Sequence, residues 1–273
     1  MRKKLSTALR QKKLYLLDMD GTLYLGDRLF EDTLPFLHAL KDHGARPVYL
    51  TNNSSRSTEA YVDKLARLGI RASAEDFFTS TDAACAWLKH RYGGNGIYAL
   101  GTASFRTQLA AEGLPVRDSL TDDVDCLLLG YDTELTYQKL VDACKLLKRG
   151  VLYLATNPDL VCPTEFGYVP DCGSLTQALE HATGRMPTVI GKPQPQMALL
   201  AMDKYGCTKE ETILVGDRLY TDIACGVSAG IDTVLVFSGE ARPEDLLKSK
   251  VKPAFTAAGV GELLEALDPA HRP

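Results

Sequence analysis

The sequence predicts an α/β fold built on a parallel sheet. Two observations carry that prediction. Near-continuous apolar runs at 14–17, 47–50, 97–100, 126–129, 151–155, 213–215 and 233–237 suit strands buried on both faces. Polar loops and stretches of helical periodicity separate them. The 273 residues allow roughly 1.8 domains of about 150 residues, so one large domain or two modest ones.

In chain order, the first thirteen residues are basic (Arg2, Lys3, Lys4, Arg10, Lys12, Lys13) and lack the apolar centre of a signal peptide. They read as a solvated terminal segment, with a weak transit peptide as the other reading. The first two apolar runs follow as strands. Tyr61, Leu65 and Leu68 then share one helical face at i, i+4 and i+7. Two further strands precede a second such face, Leu140, Cys144 and Leu147, for which Thr136 is a suitable N-cap. Small polar residues at 79–81 follow Phe77-Phe78, and the segment 185–187 precedes the apolar pair Val189-Ile190. Between these breaks lie about a hundred residues with their own strand and helix signals, enough for a small domain inserted into a larger one.

Composition narrows the function. Hydrophobic residues at 45% and charged residues at 24% exclude wholesale disorder. A net charge of −4 advertises neither nucleic acid nor an anionic membrane as partner, and the apolar runs are far too short to span a bilayer. Seven Cys contain no C-x-x-C pair, and the five His lack metal-site spacing. A reducing compartment, the cytoplasm, is the expectation.

Four segments carry chemistry. In Leu16-Leu17-Asp18-Met19-Asp20-Gly21-Thr22 two carboxylates follow an apolar strand, where ligands of open α/β sheets bind. Alone, D-x-D is more often a solvated turn. Val48-Tyr49-Leu50-Thr51-Asn52-Asn53-Ser54 ends a strand in hydroxyl and amide groups that suit anionic oxygens, or that simply cap the next helix. Gly191-Lys192-Pro193 sets one Lys on a loop, by itself an ordinary surface charge. The last segment, Ile213-Leu214-Val215-Gly216-Asp217-Arg218-Leu219-Tyr220-Thr221-Asp222, ends another strand in acid, with Asp222 also readable as a first-turn helix residue.

Together and in this order, D-x-D-G-T, T-N-N, G-K-P and G-D-R-x-x-T-D resemble the signature motifs of the haloacid dehalogenase-like hydrolases. The T-N-N, the late G-K-P and the long insert are similar to the NagD-type branch, which includes 4-nitrophenyl, phosphoglycolate and pyridoxal phosphate phosphatases. The resemblance implies a doubly wound, Rossmann-like parallel-sheet core (residues 1–80 and 188–273) with a smaller α/β cap domain inserted at 81–187. It implies a phosphatase acting through an aspartyl-phosphate on Asp18, with Mg²⁺ on Asp18, the Asp20 carbonyl and Asp217. Asp222 would act from behind, steadying Lys192 or a water on the metal. Lys192 would screen Asp18 from phosphate, while Thr51, Asn52 and Asn53 bind phosphate oxygens. Asp20 would serve as acid and then base. An Asp at that place disfavours dehalogenase and ion-pump chemistry; a phosphomutase and an inactive phosphometabolite-binding protein are the alternatives. The implied partner is a small phosphorylated metabolite, with a homodimer as the family's frequent assembly. In the cap, Asn157 is a substrate-binding candidate, with loop-stabilising Asx bonding as its other reading; Asp159 leans to the latter. Cys162 stands where the pyridoxal branch has His, and Tyr220 has no assigned role.

Overall fold

The computed structural model describes residues 2–164 and 166–268; Glu165 and His271 lie outside the described residues. The chain divides into two compact units. One comprises the residues up to Thr51, Tyr61–Phe78 and the residues from Lys192 onward; the other comprises Asn52–Ala60 and Thr79–Gly191.

A six-stranded sheet carries its strands in the order Phe255–Ala257, Asp232–Val236, Thr212–Gly216, Leu14–Asp18, Arg46–Thr51, Phe77–Thr79. The pairings from Phe255–Ala257 through Arg46–Thr51 are all parallel. Chain order runs outward in both directions from the pair Leu14–Asp18 and Thr212–Gly216. That pair is the switch point of a doubly wound sheet, beyond whose strand ends ligands bind.

Both faces are covered, which explains the unbroken apolar runs. Tyr15, Leu17, Ile213, Val215, Val234 and Val236 point to one side and pack with Phe36, Leu40, Leu263 and Leu264 from helices Thr33–Asp42 and Val260–Leu267. The alternate residues Leu14, Leu16, Leu214 and Leu235 are equally buried. Helix Gln196–Tyr205, which lies against Leu14–Asp18, supplies Met197, Ala198 and Ala201, none of them part of the first cluster.

The basic N-terminal segment is not the solvated stretch that its charge suggests. Residues Arg2–Gln11 form a helix against Val260–Leu267. Leu5 and Leu9, one turn apart, are buried, and Ser6 Oγ donates to Ala266 O at 2.6 Å. Lys12 is buried too, its Nζ 2.7 Å from Asp232. Leu9→Ala should therefore destabilise the protein by about 2–5 kcal/mol in chemical denaturation. Unchanged stability would return the segment to solvent.

The second unit has its own parallel sheet, ordered Thr188–Val189, Leu152–Ala155, Cys126–Leu129, Ile97–Leu100, Val116–Arg117. Leu127, Leu129 and Tyr153 pack there with Leu146, Leu147 and Leu179 of helices Tyr137–Arg149 and Cys172–Thr183. The Thr136 side chain accepts from Lys139 N, the cap expected of it. Residue 188 opens the second core stretch in the sequence reading, yet here Thr188 and Val189 pair with Leu154 and Ala155 at the edge of this sheet. Val161–Thr164 and Gly167–Pro170 form a separate antiparallel hairpin. Among the described residues no helix is long and apolar enough to cross a membrane.

Candidate active site

Strand register builds the first part of the site. Leu17 pairs with Val215, so Asp18 ends its strand at the level of Gly216 and Asp217 follows one residue beyond on the neighbouring strand, at the switch point. A wide turn follows at Leu219–Ile223, closed by Ile223 N donating to Arg218 O at 3.1 Å, and it carries Asp222. Lys192 lies among these acids. Its Nζ donates to Asp18 Oδ1 and to Asp222 Oδ1, both at 2.6 Å. Asp222 Oδ2 accepts from Arg218 N at 3.1 Å, so both of its oxygens are engaged. Asp217 Oδ2 accepts from Glu240 N at 2.7 Å, but Asp217 Oδ1 is buried with no hydrogen-bond partner.

One oxygen from each of Asp18, Asp217 and Asp222 falls within 4.8 Å of the others. Three carboxylates face one ammonium, and a buried carboxylate oxygen is left unpaired. That donor set fits a hard divalent cation, which takes oxygen ligands and offsets the repulsion. The backbone clears room for it. Gly21 has a φ of 86°, and a Cβ there or at Gly239 would run into the Asp217 carboxylate.

Burial, then the Asp222 carboxylate, push the Asp18 carboxyl above the ordinary Asp range, with Lys192 opposing them. Asp217 is raised by burial and by Asp222. Burial alone would lower Lys192, but Asp18 and Asp222 outweigh it and hold the ammonium well above its usual range. Asp20 is solvent-accessible, yet the protein around it desolvates its carboxyl enough to raise the pKa against Lys64, the Gly26 backbone and Arg218. Thr51 ends the strand beside Asp18, one residue beyond the Asp18–Leu50 pair.

The residues that follow Thr51 are built into the second unit. Asn52 O accepts from Ser80 Oγ at 2.6 Å and from Asn157 Nδ2 at 2.8 Å. Asn52 Nδ2 donates to Asp159 Oδ2 at 3.0 Å, and Asp159 N donates to Asn157 Oδ1 at 2.9 Å. Asn157 is wholly buried with its amide engaged at both ends, the geometry of the Asx reading. Asn53 Oδ1 accepts from Ser55 N at 2.9 Å. Cys162 is hydrogen-bonded with Tyr131. Tyr220 is 59% exposed and interacts electrostatically with Arg218.

Asp171 caps helix Cys172–Thr183, its Oδ1 accepting from Cys172 N at 2.5 Å. Burial first, and Asp159 with it, raise its carboxyl to about 6. A raised carboxyl binds its proton more tightly in the folded state, so stability present below the ordinary value of 3.8 is lost as pH rises through 6. At about 1.4 kcal/mol per pH unit, the wild type should lose roughly 2–3 kcal/mol over that interval relative to Asp171→Asn, which can still cap. Denaturation curves at pH 4 and pH 7 check this; parallel pH dependence of the two proteins would refute it.

The sequence reading missed the loop that supports Asp217. Ser238 Oγ donates to Gly21 O at 2.7 Å, and Arg218 Nε lies 2.9 Å from Glu240 Oε2. The signal was there: Ser238-Gly239-Glu240 closes the apolar run 233–237, as the other acidic segments close theirs.

Two family models match this chain: haloacid dehalogenase-like hydrolase over residues 15–115 and HAD-hydrolase-like over residues 189–263. The acid sugar phosphatase of Staphylococcus aureus is 33% identical over 260 residues, spanning 95% of this chain and all of that protein. A 4-nitrophenylphosphatase structure from Thermotoga maritima is 40% identical, with a TM-score of 0.89 over 96% of this chain and 99% of its own. A glycerol phosphate phosphatase from Mycobacterium tuberculosis, in complex with magnesium, is 28% identical, with a TM-score of 0.87 over 94% of this chain and 77% of its own.

Proposed function

The chain belongs to the haloacid dehalogenase-like hydrolases, and from that membership and the geometry at Asp18 we propose that it is a Mg²⁺-dependent phosphatase of small phosphate monoesters. One observation carries the reading: Lys192 is held between Asp18 and Asp222 beside an Asp217 oxygen that lacks a partner.

A phosphate monoester brings about two negative charges, which a bare carboxylate would repel. Lys192 on Asp18 Oδ1 offsets that repulsion and leaves the other oxygen to attack phosphorus. Asp222, with both oxygens engaged, holds the ammonium in place. Mg²⁺ on Asp18, Asp217 and the Asp20 carbonyl would supply further positive charge for the phosphate oxygens. Thr51, Asn52 and Asn53 are assigned to those oxygens, and Asn157 to holding the Asn52 carbonyl. The Asp18–phosphorus bond forms as the ester P–O bond breaks, and Asp20 gives its proton to the departing oxygen. Water then attacks phosphorus, Asp20 takes the proton, and phosphate leaves with Asp18 restored. The raised Asp20 carboxyl supports the acid role.

The insert, 81–187 in the sequence reading, is assigned the choice of leaving group, as the cap of this family. Relatives named for nitrophenyl, sugar and glycerol phosphates support a small phosphorylated metabolite as the substrate. All seven cysteines are thiols outside any disulfide, which supports the cytoplasm. Exposed Leu160, Val161, Phe166 and Tyr168, in and beside the hairpin, offer apolar surface for a homodimer.

Chelation tests the reading. Hydrolysis of 4-nitrophenyl phosphate should vanish after metal removal and return with Mg²⁺. Ca²⁺ should inhibit, since it takes more ligands at longer distances. Full activity after exhaustive chelation would overturn the metal assignment.

A further inference from the structure

We propose that Glu240 is a positioning residue whose carboxylate keeps the Arg218 guanidinium from competing with a divalent cation for Asp217. The proposal rests on the metal reading given above. Its basis is a ring of contacts. Glu240 N donates to Asp217 Oδ2 at 2.7 Å, while the Glu240 carboxylate holds Arg218 Nε at 2.9 Å. Arg218 N in turn donates to Asp222 Oδ2 at 3.1 Å. The two residues therefore tie Asp217 to Asp222 through their backbones and face each other through their side chains.

The guanidinium has other suitors. Besides Glu240, Asp18, Tyr220 and Asp217 all attract it. Arginine is built to take a carboxylate in a planar fork, and Asp217 Oδ1 is a buried oxygen with no partner. Released from Glu240, Arg218 becomes a rival to a metal there. The Arg218–Glu240 contact is held by charge more than by alignment, because Arg218 Nε has no well-directed acceptor. Gly239 lets the loop pass against Asp217, so the Glu240 backbone contact does not depend on its side chain. Glu240→Gln thus removes the charge and keeps the N–H on Asp217.

The experiment is calorimetric titration of Mg²⁺ into the full-length, substrate-free protein, with thermal unfolding of the metal-free proteins as a folding control. Glu240→Gln should bind Mg²⁺ roughly five- to tenfold more weakly, because an unpaired positive charge then faces the site. Arg218→Gln/Glu240→Gln should return to within about twofold of wild type, a coupling that loss of a merely structural contact does not produce. Glu240→Asp, which keeps the charge, should fall between. If Glu240→Gln fails to fold, Arg218→Gln alone decides: it should bind at least as tightly as wild type. Unchanged affinity in Glu240→Gln, a double variant no tighter than the single, or weakened binding in Arg218→Gln would each overturn the proposal. No uptake by the wild type would overturn the metal reading and this proposal together; uptake indifferent to Glu240 overturns this one alone.

Discussion

Asp18→Asn should lower turnover by roughly 10⁴-fold or more, on the scale of other lost nucleophiles, without unfolding the protein. The second half of that expectation comes from the charges. Asp18 is one of three clustered carboxylates, and burial and Asp222 already disfavour its charged form. An amide there relieves repulsion, and Lys192 keeps its bond to Asp222. Thermal stability should therefore hold or rise while steady-state turnover collapses, and inorganic phosphate should still bind weakly in a calorimetric titration. Turnover above about a hundredth of wild type would mean that water, not Asp18, attacks phosphorus.

Asp20→Asn should separate the two halves of the reaction. 4-Nitrophenolate is a stable anion and scarcely needs an acid to leave. An alkoxide is strongly basic, and losing its proton donor should cost roughly 10²–10⁴ in that step. With Asp18 and Lys192 untouched, the aryl ester should still phosphorylate Asp18, and the phosphoenzyme should then persist for lack of a base. Rapid mixing should show a burst of nitrophenolate approaching one equivalent of enzyme, with a matching mass increase, and no comparable burst from an alkyl phosphate. Equal losses on both substrates with no phosphoenzyme would make Asp20 a structural or metal-organising residue.

Much of this arrangement is legible in the sequence because of where the strands lie. The apolar runs at 97–100 and 126–129 coincide with Ile97–Leu100 and Cys126–Leu129, and those at 14–17 and 213–215 fall within Leu14–Asp18 and Thr212–Gly216. Such strands are covered on both faces and cannot hide polar residues. Edge strands escaped the same reading. Val116–Arg117 and Thr188–Val189 are two residues long and half open, so no run marks them. Helix Arg2–Gln11 escaped because, among its described side chains, only Leu5 and Leu9 are buried and most of the others are charged or polar. Asp18, Asp217 and Asp222 could be named from motifs, but no local pattern announces that Asn52 reaches Asp159, 107 residues on, or that Glu240 serves Asp217. Pairings closed by the fold are invisible to periodicity.

The docking of helix Arg2–Gln11 onto Val260–Leu267 bears on how the chain is made. Ser6 waits for Ala266, 260 residues away, and Asp18 waits 174 residues for Lys192. At ribosomal speeds of about 5–20 residues per second, the first interval lasts roughly 13–52 s. Throughout it Leu5 and Leu9 have no partner helix, and for most of it the Leu14–Asp18 strand lacks its Thr212–Gly216 neighbour. The insert, whose own sheet closes at Val189, is complete before either arrives. A nascent chain of this protein therefore carries a finished insert and an unfinished catalytic unit. The helix Arg2–Gln11 and the strand Leu14–Asp18, made well before their partners, are the surfaces that stay uncovered longest.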